Sequence, residues 1–73
     1  MAGILQVGDP VRIYLDEKFG DRQGWYRGVI SRIDPYSKHR SFYWVYLDAE
    51  ARQTMRIAEI SVLNPKNIQK VEG

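Results

Sequence analysis

The run Gly24-Trp25-Tyr26-Arg27-Gly28-Val29-Ile30-Ser31-Arg32-Ile33-Asp34 is followed, after a proline and a basic stretch, by Phe42-Tyr43-Trp44-Val45-Tyr46-Leu47-Asp48. The second run carries four aromatic rings in seven residues. Both runs are rich in β-branched and aromatic side chains, which fit a pleated, half-buried surface. Asp34-Pro35 supplies a stop, because proline has no N–H to give to a strand ladder. The pair therefore reads as two strands, residues 25–33 and 42–47, joined by a basic hairpin loop over 36–40. What the protein can bind depends on which rings point outward.

Residues two apart in a strand share a face. Tyr43, Val45 and Leu47 form the set that contains the aliphatics, so they are expected to point inward. Phe42, Trp44 and Tyr46 then form a row across the outer surface. In the preceding strand Trp25, Val29 and Ile33 share one parity, and Tyr26 and Ile30 the other. A kink at Gly28, with each half burying a different face, accounts for that mixture.

Working outward, Gly8-Asp9-Pro10 is a turn signal, and residues 11–15 alternate as a half-buried strand does. Residues 16–23 are polar apart from Phe19 and read as a loop. Residues 48–51 favour helix locally but are too few to stand alone. They are expected to turn the chain into a fourth strand starting near Arg52 or Gln53. Asn64-Pro65 breaks the chain, residues 65–68 suit a 3₁₀ turn, and 69–72 suit a closing strand. No segment is expected to form an α-helix. Five short strands over residues 1–73 imply one all-β domain, a small, strongly bent barrel that closes to remove its exposed edges.

At 73 residues the chain is near the size at which a core alone holds a fold. With 44% hydrophobic and 27% charged residues it is composed like a soluble globular domain. It contains no cysteine, so neither a disulfide framework nor a thiolate zinc site is expected, and a reducing compartment suits it. No apolar run reaches the ~18 residues that span a bilayer, so no membrane association is expected. The opening MAGILQVGDP has no basic residues ahead of its apolar patch, which is unlike a secretory signal, so a cytoplasmic location is expected. The net charge is +2, and Arg22, Arg27, Arg32, Lys38, His39 and Arg40 concentrate the basic residues between 22 and 40, interrupted by Asp34.

Nothing in this composition points to catalysis. The one histidine, His39, lies in the basic loop with no carboxylate close in sequence to orient it. Serines 31, 37, 41 and 61 match no nucleophile motif, and there is no glycine-rich phosphate loop. The acidic residues stand scattered rather than at metal-ligand spacing. A binding module without enzymatic activity, cofactor or metal is the expectation.

The stretch YRGVISRID, residues 26–34, with the basic loop and YWVYLD, residues 43–48, resembles the central hairpin of Tudor domains, which are small SH3-like barrels. The resemblance covers residues 19–48. It implies an aromatic cage, in which ring faces attract a soft methylated cation. By position, Phe19 stands where the loop aromatic of the cage belongs, Tyr26 opens the second strand as the cage tyrosine does, and Tyr46 ends the third strand. The fourth wall is missing: Ala49 stands there, and Ala51 replaces the polar residue that usually follows, which leaves Trp25 or Trp44 as the rings available for another wall.

Two partner classes suit these residues. In the first, a protein or peptide docks on the outer rings Phe42, Trp44 and Tyr46, bordered by Arg27 and by Tyr36, Lys38 and Arg40 of the loop. Tyr, Trp and Arg are the types that dominate binding energy at such surfaces. In the second, nucleic acid places phosphates on Arg27, Arg32, Lys38 and Arg40 and stacks a base on Trp44 or Phe42. The small net charge and the interspersed aspartates favour the protein partner.

Overall fold

The hairpin predicted from residues 24–48 is the centre of the fold in a computed structural model, which describes residues 5–71. Five strands, β1 (Pro10–Leu15), β2 (Gly24–Pro35), β3 (Ser41–Leu47), β4 (Glu59–Val62) and β5 (Ile68–Lys70), form one antiparallel sheet in the order β4-β3-β2-β1-β5. Among the described residues β4 and β5 are its two edges and do not pair with each other. The expected closure of the sheet is thus corrected to an open one. The reason lies in the connection: Pro65–Asn67, a 3₁₀ turn whose amide at Lys66 is capped by the Asn64 side chain, carries the chain away from β4 to the far side of β1.

The core lies on the concave side. Val11, Ile13 and Leu15 of β1, Ile30 of β2, Val45 and Leu47 of β3, Val62 of β4 and Ile68 of β5 are buried there. Tyr43 and Ile33 pack against this cluster in part. The inward set of β3 is therefore Tyr43, Val45 and Leu47, as its alternation predicts.

The irregularity of β2 is not at Gly28. Register runs evenly from Gly28↔Leu47 to Ile30↔Val45 and then jumps to Arg32↔Trp44, leaving Ser31 as the extra residue of a bulge. One extra residue reverses the parity of everything after it. That is why Ile30 is buried before the bulge and Ile33 packs on the same core after it. Gly28 has a different task, close approach: a Cβ there would lie 2.5 Å from the Tyr46 carbonyl oxygen and 2.6 Å from Val45 Cγ1.

The chain between β3 and β4 corrects the expectation of an early fourth strand and of no helix. Ala49–Met55 forms an α-helix, α1, and β4 starts only at Glu59. Asp48 caps the helix by accepting a hydrogen bond from the Ala51 amide at 2.9 Å. Ala51 and Met55, four apart and so on one helical face, are both buried in the core. Capping and burial stabilise a helix that is too short to persist in isolation. The residues expected to form a loop between β1 and β2 contain a 3₁₀ segment, Glu17–Arg22, and the strand expected over 69–72 is Ile68–Lys70, with Glu72 outside the described residues. No helix among the described residues is long and apolar enough to cross a membrane.

Candidate binding surface

Alternation that buries one face of the sheet leaves the other to solvent, and that convex face carries the three arginines of the strands, Arg12, Arg27 and Arg32, and most of the rings. Arg12 and Tyr14 of β1 stand across from Arg27 and Trp25 of β2. Val29 stands across from Tyr46, and beyond the bulge Arg32 faces Trp44 and Asp34 faces Phe42.

Three arginines lie over three rings. The Arg12 guanidinium is 4.6 Å from the centre of the Trp25 ring, Arg32 is 5.2 Å from Trp44, and Arg52, reaching back from α1, is 4.9 Å from Tyr46. Each stack is fixed by a second interaction. Arg12 donates through Nε and Nη2 to Gln69 Oε1 at 3.0 and 2.7 Å. Arg32 pairs with Asp34 at 2.8 Å, and the same carboxylate oxygen accepts the Trp44 indole N–H at 3.1 Å. Arg52 donates to the Leu47 carbonyl at 2.7 Å. Such fixed guanidiniums lose less conformational freedom when a partner binds. Tyr14 completes the Trp25 site, its ring tilted against the indole at 5.3 Å.

The structure groups the residues selected from sequence into several places. Trp44 is half-buried, while Tyr46 and Arg27 are exposed on the convex face. Phe42 holds Tyr36 edge-on at 5.3 Å, joining the loop to the end of the sheet. The Tyr36 and Ser37 amides both bond the Arg40 carbonyl, closing a turn from which Lys38 and Arg40 extend into solvent. Tyr26 belongs to the concave side, with its hydroxyl donating to the Arg22 carbonyl at 2.6 Å.

Phe19 and Tyr26 line separate recesses. Phe19 lies in one of about 140 Å³ between β4 and the end of β1, and Tyr26 in one of about 200 Å³ beside Trp25, Arg27, Glu50 and Thr54. With Arg52 over Tyr46, these three rings do not meet in a single cage.

The sequence alone does not single out Arg12, Tyr14 or Arg52 as site residues, and it offers Trp25 only as a further wall for a cage. The outward parity of Arg12 and Tyr14 is readable from the alternation with Val11, Ile13 and Leu15. Their meeting with Trp25 depends on register, and the position of Arg52 on a helix that only packing reveals. In comparison with known proteins, no family model, curated protein or solved structure matches the chain.

Proposed function

We propose that this chain is a non-enzymatic binding module that docks a protein or peptide partner on its convex sheet face. The observation that carries this reading is the convergence there of three arginine–aromatic stacks, Arg12–Trp25, Arg32–Trp44 and Arg52–Tyr46. Aromatic rings offer large rigid contact areas, and arginine adds directed hydrogen bonds, so a few such residues dominate the affinity of an interface. Trp25, Val29 and Tyr46 remain between 43% and 46% exposed, leaving apolar surface for a partner to cover.

We read the architecture as SH3-like and related to Tudor domains, acting in the cytoplasm. The strand order and the 3₁₀ turn before the last strand support that kinship. The dispersal of Phe19, Tyr26 and Tyr46 favours docking on the face over capture of a methylated side chain in a cage.

A second reading, binding of nucleic acid, draws on the exposed Lys38 and Arg40 beside the Tyr36–Phe42 pair. Capture of partners by the intact protein and by Trp44→Ala, with chemical-shift mapping of the captured complex, tests the first reading. Loss of capture by the folded variant supports it, and shifts confined to residues remote from the convex face refute it. A salt titration with single-stranded and duplex nucleic acid tests the second, because phosphate binding weakens steeply with salt.

A further inference from the structure

Arg12 and Arg27 stand directly opposite each other on β1 and β2, both exposed on the convex face. Like charges placed directly across a strand pair oppose folding. Proteins ordinarily relieve such a pair with a carboxylate, yet the ion pairs among the described residues are Arg32–Asp34 and Lys70–Asp9, and neither involves these two arginines. Arg12 is held by neutral groups, the Gln69 side chain and the Trp25 ring. Arg27 opens onto the recess it shares with Trp25, Asp48 and Glu50; neither carboxylate is within ion-pairing distance of it, and Asp48 is engaged at the Ala51 amide.

We infer that the Arg12–Arg27 pair is the anchor for an acidic segment of a partner protein. The inference rests on the docking role proposed above and names the chemistry of the partner. A carboxylate between the two guanidiniums would accept charge-assisted hydrogen bonds from both. Apolar side chains flanking it in the same segment would cover Trp25 and Val29, which are 46% and 43% exposed. Surrounding carboxylates restrict the patch: Glu59 faces Tyr46 across β3 and β4, Asp34 holds Arg32, and Asp48 and Glu50 line the recess. A continuous chain of phosphates would run into these carboxylates, whereas a discrete acidic side chain would not.

The test uses the full chain, labelled with ¹⁵N, and three probes: a short peptide with one glutamate and a leucine two residues to either side of it, the same peptide with glutamine for glutamate, and oligothymidylate. The expected result is saturable shifts at Arg12, Trp25 and Arg27 with the glutamate peptide, at least about tenfold weaker binding of the glutamine peptide, and a comparable loss with Arg27→Gln. Arg27→Gln is also expected to unfold at higher urea than the parent, because it removes the like-charge opposition. Two results overturn the acidic-partner inference: a glutamate peptide that leaves these residues unshifted, or oligothymidylate shifting them at lower concentration than the peptide does. An Arg27→Gln variant less stable than the parent overturns the premise that the pair is unrelieved. If a captured protein shifts Trp44 and Tyr46 but its binding survives Arg27→Gln, the docking role stands and the acidic anchor falls.

Discussion

Gly28 faces Leu47 across β2 and β3 with no space between the strands for a side chain. The atoms in the way are the Tyr46 carbonyl, which is fixed in the sheet, and the buried Val45 side chain. Gly28→Ala is therefore expected to destabilise the domain by about 1–3 kcal/mol, as overpacking does, although alanine is the better residue for an ordered backbone. Gly28→Val should cost more, despite valine's preference for strands. Urea melts check both; an alanine variant as stable as the parent would show that the strands separate freely.

Tyr46 and Leu47 are neighbours in sequence and opposites in environment, 46% and 0% exposed. Leu47→Ala is expected to cost about 2–5 kcal/mol through lost burial and the cavity it leaves. Tyr46→Ala removes more atoms but is expected to cost no more than about 1 kcal/mol, since most of the ring is outside the core. Equal midpoints in denaturation would contradict the parity of β3.

Asp48 caps the short helix through its contact with the Ala51 amide. Asp48→Ala should cost about 1 kcal/mol, and Asp48→Ser less, because serine can also cap. Hydrogen exchange should locate the loss, with the Ala51 amide exchanging faster while amides in the middle of β3 slow or hasten only with global stability.

At the other end of the same helix Arg56 adopts φ 60°, a left-handed conformation in which a Cβ is strained. Arg56→Gly relieves that strain but gives the unfolded chain more freedom. The balance is expected to favour the variant by about 0.5–1 kcal/mol, since left-handed helix ends are where glycine is most favourable. Thermal unfolding compared with Arg56→Ala, which keeps the strain, isolates the effect.

What could be read in the sequence was whatever depends on neighbours along the chain. The alternation of Tyr43, Val45 and Leu47 against Phe42, Trp44 and Tyr46 fixes the two faces of β3, and Asn64-Pro65 marks the 3₁₀ turn. The helix was not readable in the same way. Asp48, Ala51 and Met55 have the spacing of a cap and a buried stripe, but seven residues hold a helix only when a core receives that stripe. The bulge was also hidden, because Ser31 has no backbone preference that announces it, whereas Gly28 does and was needed for another reason. The outer surface was half readable: parity placed Phe42, Trp44 and Tyr46 there, but Arg27 needed the true site of the bulge, and only the pairing of β1 with β2 brings Arg12 to Trp25.

The double hydrogen bond from Arg12 to Gln69 joins residues 57 positions apart. Bringing β5 to β1 closes almost the whole described chain into a loop, and that entropy is lost before the contact returns anything. The β2–β3 hairpin, by contrast, needs only its short connecting loop to close, so it can form early while β5 docks late. A contact that forms after the folding barrier governs the lifetime of the native state rather than the speed of reaching it. Gln69→Ala is thus expected to steepen the loss of native protein in unfolding jumps while refolding proceeds at nearly the parental rate, a separation that stopped-flow chevrons resolve. With that separation observed, β5 would be a latch whose release sets how long the arginine-bearing face holds its shape.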